Sequence, residues 1–145
     1  MAVALSLHTP LFVPTVLHEQ EREMKSLRIV FADDSAIIRD KIREVLSREP
    51  GLIALGEAAN GAQAFWLYYK MRPDLLILDL SMPSPSGLEV LQEIRRNDQE
   101  TRIIIFTADP GMMLKKSCLD AGADYYFDKS DLASLIKLCQ QLRDE

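Results

Sequence analysis

Five polar side chains lie within or directly after apolar segments that are long enough to be buried strands. They are Asp33 and Asp34 after LRIVFA, Asp79 within LLILDL, Thr107 within RIIIFTA, and Lys129 after YYFD. Asp79 is the most demanding of them, because an unpaired charge in an apolar interior costs several kcal/mol. We therefore expect other polar groups to converge on Asp79.

Three carboxylates, one hydroxyl and one ammonium suit the chemistry of a phosphoryl group. A hard divalent cation relieves the repulsion between carboxylates and keeps a position for a phosphate oxygen, which favours Mg²⁺, with Mn²⁺ as a substitute. Lys129 adds a second positive charge, and Thr107 with the backbone N–H of Ala108 supplies donors. A carboxylate can itself attack phosphorus and form an acyl phosphate. Asp79 is the best candidate nucleophile, because it lies between the acidic pair and Lys129.

Each of these residues also fits an ordinary structural role when taken alone. An Asp pair after a strand is commonly a helix N-cap, Thr107 can be a plain strand-end residue, and Lys129 can be solvated. Their joint placement at the ends of successive strands is what favours a site.

Strand-length apolar segments alternate with amphipathic helices from Leu27 onward. Strands are predicted over 27–32, 53–59, 74–80, 102–108 and 123–127, and helices over 35–49, 60–71, 87–96, 112–122 and about 130–142. Such alternation predicts an α/β fold with a doubly wound parallel sheet, covered on both faces. Sheets of this kind bind ligands beyond the carboxyl ends of their strands, which is where the five polar residues would meet.

Two local features of the helices carry further predictions. Ser130 is expected to cap the last helix, with Asp131 in its first turn. In the second helix, Phe65 and Tyr68 fit the inward face, so Trp66 and Tyr69 fall together on the outer side. These two rings are either partly buried along the helix edge, or they form a surface that receives the N-terminal extension or a partner.

The composition bounds the classes of protein that remain. A length of 145 residues predicts one domain, and a net charge of −5 disfavours nucleic acid as a direct partner. Cys118 and Cys139 lack metal-ligand spacing, which predicts reduced, structural thiols. No apolar run approaches the roughly 18 residues of a membrane span. A cytoplasmic location without membrane attachment is the expectation that follows.

Residues 1–23 form an extension ahead of a domain predicted over 24–145. The segment is apolar but is interrupted by Pro10 and Pro14 and lacks a basic n-region, so we do not interpret it as a signal peptide. Three interpretations stay open: an upstream start that is not used because Met24 is the natural one, a disordered tail, or an ordered segment that docks on the domain.

The blocks FADDS, LLILDLSMPSPSG, IIIFTA and AGADYYFDKS resemble the signature blocks of the receiver domains of bacterial two-component response regulators. The resemblance covers about residues 27–142, and it is to the chemotaxis-receiver-like, single-domain type. It implies the flavodoxin-like (βα)₅ fold with strand order 2-1-3-4-5.

The resemblance also implies a role for each site residue. Asp79 would be the phosphoacceptor, Asp34 would bind Mg²⁺ directly, and Asp33 would bind it mainly through water. The other implied roles are a metal ligand from the Ser81 backbone carbonyl, a phosphoryl contact from Lys129, and a switch pair made of Thr107 and the aromatic Tyr126.

The predicted last helix ends near Leu142, three residues before the chain ends, which leads us to expect a stand-alone receiver. A histidine kinase or histidine phosphotransfer protein would supply the phosphoryl group. The receiver would act by protein–protein binding through its fourth helix, fifth strand and last helix. It would not be an enzyme beyond self-phosphorylation and slow autodephosphorylation.

The chain departs from the family pattern at Ser130, where many members have proline after a cis bond. A cis bond before a non-proline residue costs roughly 2.5–4 kcal/mol, so we predict a trans Lys129–Ser130 bond. Ser81 and Asp109 flank the pocket entrance and are expected to affect the lifetime of the phosphoryl group. An unchanged autodephosphorylation rate in Ser81→Ala and Asp109→Ala would contradict that expectation.

Two rival functions are kept. The first rival is an aspartyl phosphatase of the haloacid-dehalogenase type. Such enzymes usually carry a second Asp where this chain has Ser81, and they have a cap domain that the predicted elements do not include, so both features argue against this rival. The other rival is a degenerate receiver that binds partners without phosphorylation, although all five site residues are present.

Overall fold

The computed structural model describes residues 25–108 and 111–145. The predicted extension over residues 1–23, the start at Met24 and the position of Asp109 therefore lie outside the described residues. Strands and helices alternate along the described chain in this order: β1 (Leu27–Ala32), α1 (Ala36–Ser47), β2 (Leu52–Ala58), α2 (Gly61–Met71), β3 (Leu75–Leu78), α3 (Gly87–Arg95), β4 (Arg102–Thr107), α4 (Met112–Asp120), β5 (Tyr125–Asp128) and α5 (Leu132–Asp144).

The strands form one parallel sheet in the order β2-β1-β3-β4-β5. This confirms the predicted α/β doubly wound fold and its strand order. The register aligns Ala32, Leu78, Ile105 and Tyr126 across four neighbouring strands. Because β1 and β3 are neighbours, the strand order reverses between them, and a polar residue follows each of them at this edge.

Two apolar layers enclose the sheet. One is built with side chains from α2, α3 and α4, and the other with side chains from α1 and α5. All four residues of β3 are buried, as expected for the central strand of a parallel sheet. Of the two rings predicted on the inward face of α2, Tyr68 is buried and Phe65 is half-buried. The helices turn these buried residues towards the sheet: Ile42, Leu46, Ala64, Tyr68, Val90, Leu91, Ile94, Leu135, Ile136 and Cys139.

Cys118 and Cys139 are free and buried, as predicted. Burial raises the pKa of the Cys139 thiol to about 12. The thiol is therefore protonated at neutral pH and unreactive, which fits a packing role. Across residues 25–108 and 111–145, no helix combines the length and the apolar character needed to cross a membrane.

The fifth strand begins later than predicted. The N–H of Ala123 donates to the carbonyl of Cys118 at 3.0 Å and closes the end of α4. The carboxylate of Asp124 then accepts from the N–H of Ile103 at 2.8 Å and also pairs with Arg95. Residues 123 and 124 are thus engaged in ending a helix and in a side-chain contact, and regular pairing starts at Tyr125.

The predicted cap of the last helix is wrong by one residue. Asp131 is the N-cap, and its carboxylate accepts from the N–H of Ser134 at 3.2 Å. Ser130 instead donates from both its N–H and its hydroxyl to the carboxylate of Asp128, at 2.8 and 2.6 Å. A charged acceptor two residues earlier competes better for Ser130 than the helix does. The Lys129–Ser130 bond is trans, as predicted.

Asp98 joins α2 to the segment that leads into β4. Its carboxylate accepts from the hydroxyls of Tyr68 and Thr101, each at 2.6 Å, and from the N–H groups of Glu100 and Thr101. Partial burial alone would raise the pKa of Asp98, but these hydrogen bonds hold it well below its usual range. The ionised carboxylate is therefore the form that the fold stabilises.

We expect Asp98→Asn to destabilise the protein at neutral pH, with a difference from the parent that shrinks in acid. A carboxyl group with a lowered pKa in the folded state contributes stability above its unfolded pKa of about 4. That contribution is lost as the pH falls further towards the folded-state value. Urea unfolding of both proteins across this pH range measures the effect. Glu100→Gln is the control, because only its backbone contacts Asp98, and an equal loss in that variant would contradict the account.

Gly87 allows the loop after β3 to return against the strand. A Cβ atom at this position would lie 2.1 Å from the carbonyl oxygen of Asp79 and 3.0 Å from the Cα of Leu80. Ser86 caps α3 beside it through a reciprocal capping box with Glu89, which the sequence analysis did not identify. The glycine thus fixes how closely the start of α3 approaches the backbone of Asp79.

We expect Gly87→Ala to lower the free energy of unfolding by about 3 kcal/mol, since backbone atoms would have to move apart. Gly56→Ala is the matched control. Its Cβ would lie 3.2 Å from a flexible Leu67 side chain, so it should cost under about 1 kcal/mol. Urea unfolding followed by far-ultraviolet circular dichroism compares the two, and equal losses would contradict this role of Gly87.

Candidate functional site

The sheet brings the predicted polar residues to the carboxyl edge of adjacent strands. The N–H of Asp33 donates to the carbonyl of Ala58, and the N–H of Asp79 donates to the carbonyl of Ala32, each at 3.0 Å. Both aspartates thus extend the sheet hydrogen bonding by one residue before the chain turns away. Thr107 ends β4, and its carbonyl accepts from the N–H of Lys129 at 3.0 Å.

The three carboxylates form one cluster. Asp33, Asp34 and Asp79 each offer an oxygen atom, and these atoms lie within 4.8 Å of one another. Asp33 and Asp79 are each 1% exposed, whereas Asp34 is exposed to solvent. The cluster therefore has two buried carboxylates and one, Asp34, that faces the solvent. A hydrated cation could approach the cluster from the side of Asp34.

Lys129 partly neutralises the two buried carboxylates. Its Nζ lies 2.8 Å from Oδ2 of Asp33 and 3.0 Å from Oδ2 of Asp79. Burial alone would lower the pKa of Lys129, but its close contacts with the carboxylates of Asp33 and Asp79, and their negative charges, raise it. Lys129 is therefore a firmly protonated counter-charge, although one ammonium leaves a cluster of three carboxylates net negative.

Of the two buried aspartates, Asp33 has the carboxylate oxygen with fewer hydrogen-bond donors. Its Oδ1 accepts from the N–H of Ser35 at 2.8 Å, whereas its buried Oδ2 has no hydrogen-bond donor. Oδ2 contacts the Lys129 ammonium as an ion pair at 2.8 Å. Burial is the main cause that raises the pKa of Asp33.

This donor set fits a hard divalent cation. Mg²⁺ prefers carboxylate oxygens and keeps several waters, and the cluster offers three carboxylates, one of them solvent-facing. Oδ2 of Asp33 is a further sign, because the Lys129 ammonium that it contacts is shared with Asp79 and balances only one of the two buried charges. Asp33, Asp34 and Asp79 are therefore the residues that could hold a metal.

Asp79 is surrounded by donors on both carboxylate oxygens. Oδ1 accepts from the hydroxyl of the fully buried Thr107 at 3.0 Å and from the N–H of Ser81 at 3.2 Å. Oδ2 accepts from Lys129. The central carboxylate thus touches the hydroxyl and the ammonium that the sequence predicted beside it.

The three other predicted site residues are Ser81, Ala108 and Tyr126. Ser81 and Ala108 are exposed at the edge of the sheet. Tyr126 is half-buried in β5 and packs against the apolar layer that α2, α3 and α4 help to build. Their expected roles as metal ligand, phosphoryl donor and switch stay predictions.

Arg39 is a site neighbour that the sequence analysis missed. Its Nη1 donates to the backbone carbonyl of Asp33 at 2.8 Å, and its Nε lies 3.3 Å from Glu57 in β2. Arg43 also binds Glu57, at 2.6 Å, but it has no contact with Asp33 among the described interactions. Helical periodicity places Arg39 on the wet face of α1, and nothing in that pattern signals a bond to a distant backbone carbonyl.

The comparison with known families identifies the class of protein. The sequence model of one family, the response regulator receiver domain, matches residues 29–140, which is most of the chain. The chain belongs to the family of response regulator receiver domains, as the sequence predicted, and the family places it in two-component systems.

Curated relatives differ in how much of their own length the chain matches. The chain is 32% identical over 124 residues to a protein-glutamate methylesterase/protein-glutamine glutaminase of Nocardioides sp., covering 83% of this chain and 34% of that one. It is 35% identical to the nitrate/nitrite response regulator protein NarL of Escherichia coli, covering 70% of this chain and 47% of NarL. The chain thus spans a third to a half of these relatives. Against Protein CcdB of Bacillus subtilis, at 37% identity, it covers 84% of the relative and 70% of itself.

Solved structures agree on the fold. A LuxR-family two-component response regulator from Aurantimonas sp. superposes with a TM-score of 0.75 at 35% identity, covering 81% of this chain and 85% of that one. The CheX–CheY–BeF3–Mg complex from Borrelia burgdorferi gives a TM-score of 0.74 at 26% identity, covering 80% and 88%. The order of strands and the covering helices are thus those of receiver domains.

We expect Arg39→Met to weaken Mg²⁺ binding about ten-fold, because the loop that carries Asp33 and Asp34 loses a tether to β2. Isothermal titration calorimetry with Mg²⁺ measures the affinity. Arg43→Met removes a neighbouring bond to the same Glu57 and should change the affinity less than about two-fold. Equal effects of the two substitutions would mean that Arg39 does not position the metal-binding loop.

Proposed function

We propose that this receiver domain accepts a phosphoryl group on Asp79 in a Mg²⁺-dependent reaction. The observation that carries the proposal is the convergence on one buried carboxylate of an ammonium, a hydroxyl and two further carboxylates. A purely structural ion pair would need only Lys129. The additional acidic pair adds repulsion between carboxylates, which a divalent cation would relieve. The bound cation would then also contact the oxygens of a phosphoryl group.

The metal would be held by Asp33, Asp34 and Asp79, with the Ser81 carbonyl as the expected further ligand. When bound, Mg²⁺ supplies positive charge to the phosphoryl oxygens. The chain supplies the nucleophile: an oxygen of Asp79 attacks phosphorus, and the bond from phosphorus to the donor's nitrogen or oxygen breaks. The leaving group departs with that electron pair, and an acyl phosphate forms on Asp79.

Lys129 and Thr107 have defined tasks around that step. Lys129 already contacts Oδ2 of Asp79, so its ammonium lies beside the oxygens that an attached phosphoryl group would bring. The Thr107 hydroxyl donates to Oδ1 of Asp79 and would exchange this acceptor for a phosphoryl oxygen, aided by the N–H of Ala108. Tyr126 would respond to that shift as the second half of a two-state switch.

Relatives support both the chemistry and the setting. The Borrelia burgdorferi CheY is described in a complex with CheX, BeF3 and Mg, which supports a role for Mg²⁺ in this chain as well. A histidine kinase or histidine phosphotransfer protein is the donor that membership of two-component systems favours. We propose that the receiver domain spans residues 24–145 and is located in the cytoplasm. We propose that it signals by binding another protein through α4, β5 and α5.

A stand-alone receiver remains our proposal for the whole protein. The support is Protein CcdB, of which the matched region makes up 84%, so a relative of this similarity has little room for a second domain. The methylesterase and NarL relatives are longer proteins with further segments, and such a segment here would give the chain a different output.

Incubation of the protein with Mg²⁺ and acetyl phosphate should add the mass of one phosphoryl group, detected by intact-protein mass spectrometry. Asp79→Asn should remove the adduct, because an amide is not a nucleophile for this step. Asp34→Asn should slow its formation about 100-fold or more through loss of a metal ligand. Asp124→Asn is a control carboxylate outside the cluster and should leave the adduct unchanged.

The same experiment separates the alternatives. Absence of any adduct, with metal binding intact, would favour a degenerate receiver that binds partners without phosphorylation. Release of inorganic phosphate over many turnovers would favour an aspartyl phosphatase. An adduct that persists in Asp79→Asn would contradict the assignment of the phosphoacceptor.

A further inference from the structure

An apolar groove of about 730 Å³ lies between α2 and α3. Phe65, Trp66 and Tyr69 of α2 line one side, and Pro85, Glu89 and Glu93 line the other. We call this the aromatic groove. None of these residues belongs to the acidic cluster, so the proposed phosphorylation gives no reason for this surface.

The rings of the groove are unusually accessible for their size. Trp66 is 59% exposed and Tyr69 is 61% exposed. Large apolar side chains that lie together on a surface mark a site of interaction more often than chance exposure does. The aromatic groove is therefore a surface that a further segment of protein would cover favourably.

The groove is held in shape by its neighbours. The Lys70 ammonium lies 5.9 Å from the centroid of the Trp66 ring, and the Arg72 guanidinium lies 5.0 Å from that of Tyr69. Such cation–π contacts favour one orientation of each ring. At the other end, the carbonyl of Pro85 lies so near Gly61 that a Cβ there would be 1.8 Å away. A ligand would thus meet preformed walls.

We infer that residues 9–17 of the same chain, TPLFVPTVL, bind in the aromatic groove. These residues lie outside the described part of the structure, and the argument for them rests on composition and reach. Pro10 and Pro14 preset extended backbone, and aromatic-lined grooves bind extended proline-containing segments. Leu11, Phe12 and Val13 supply the apolar side chains between the two prolines.

The chain path favours this occupant, and charge does not oppose it. Residues 9–17 carry no charged side chain, so they add no repulsion to a groove that Glu89, Glu93 and Arg96 line. Arg28 in β1 donates to the carbonyls of Met71 and Arg72, which places the start of β1 beside the end of α2. Tyr69 lies within one turn of that end. Residues 18–24 can span roughly 23 Å when extended, which is longer than the roughly 16 Å of α2.

Trp66 is the one tryptophan of the chain, so its fluorescence reports on the groove directly. In the full-length protein, Leu11→Asp combined with Phe12→Asp would place two charges among the aromatic rings. We expect the acrylamide quenching constant of Trp66 to rise about two-fold and its emission to shift to longer wavelength, because an apolar cover is removed. His18→Asp combined with Gln20→Asp adds the same charge outside residues 9–17 and should leave both signals unchanged.

Three results would overturn the inference. Unchanged quenching in the Leu11/Phe12 variant, with an unaltered circular dichroism spectrum, would mean that the segment does not cover Trp66. An equal rise in the His18/Gln20 variant would assign the change to charge alone. Quenching of the parent that increases on dilution would assign the cover to a second copy of the chain.

Discussion

The burial of two carboxylates at neighbouring strand ends is the constraint on which the rest of the site depends. Asp33 and Asp79 are almost fully enclosed, and Asp34 adds a third negative charge at the rim. Removing such charges from water is costly unless opposite charge and hydrogen bonds compensate. Lys129 supplies one counter-charge, and Thr107, Ser35 and Ser81 supply donors.

The fold holds these groups in place through backbone contacts that are remote from the chemistry. The carbonyl of Thr107 fixes Lys129, and Gly87 lets α3 begin against the carbonyl of Asp79. Arg39 ties the Asp33 backbone to Glu57 at the outer strand. A site built at the ends of several strands therefore depends on strand register and on loop closure as much as on its own side chains.

Much of this arrangement was predictable because it follows from local patterns. Apolar strands alternating with helices predict the parallel sheet, and the carboxyl ends of parallel strands share an edge, so Asp79, Thr107 and Lys129 were expected to meet. Trp66 and Tyr69 were assigned correctly to the outer side of α2 from periodicity alone.

The misses come from side-chain and tertiary contacts that the periodicity of the sequence does not contain. Ser130 was expected to cap the last helix, but it donates to the carboxylate of Asp128, and Asp131, expected in the first turn, is the cap. Arg39 reaches a carbonyl that no periodicity reveals. The groove beside Trp66 required the placement of Pro85 and α3 against α2, which is a property of tertiary packing.

The central claim is that the acidic cluster is under-neutralised until a divalent cation binds. The free energy of unfolding of the parent and of Lys129→Met, each measured in EDTA and in saturating Mg²⁺, tests it most directly. The account predicts that Mg²⁺ stabilises both, by about 2.7 kcal/mol for the parent at a hundred-fold excess over Kd, and stabilises Lys129→Met more. Equal stabilisation of the two proteins, or none, would contradict it.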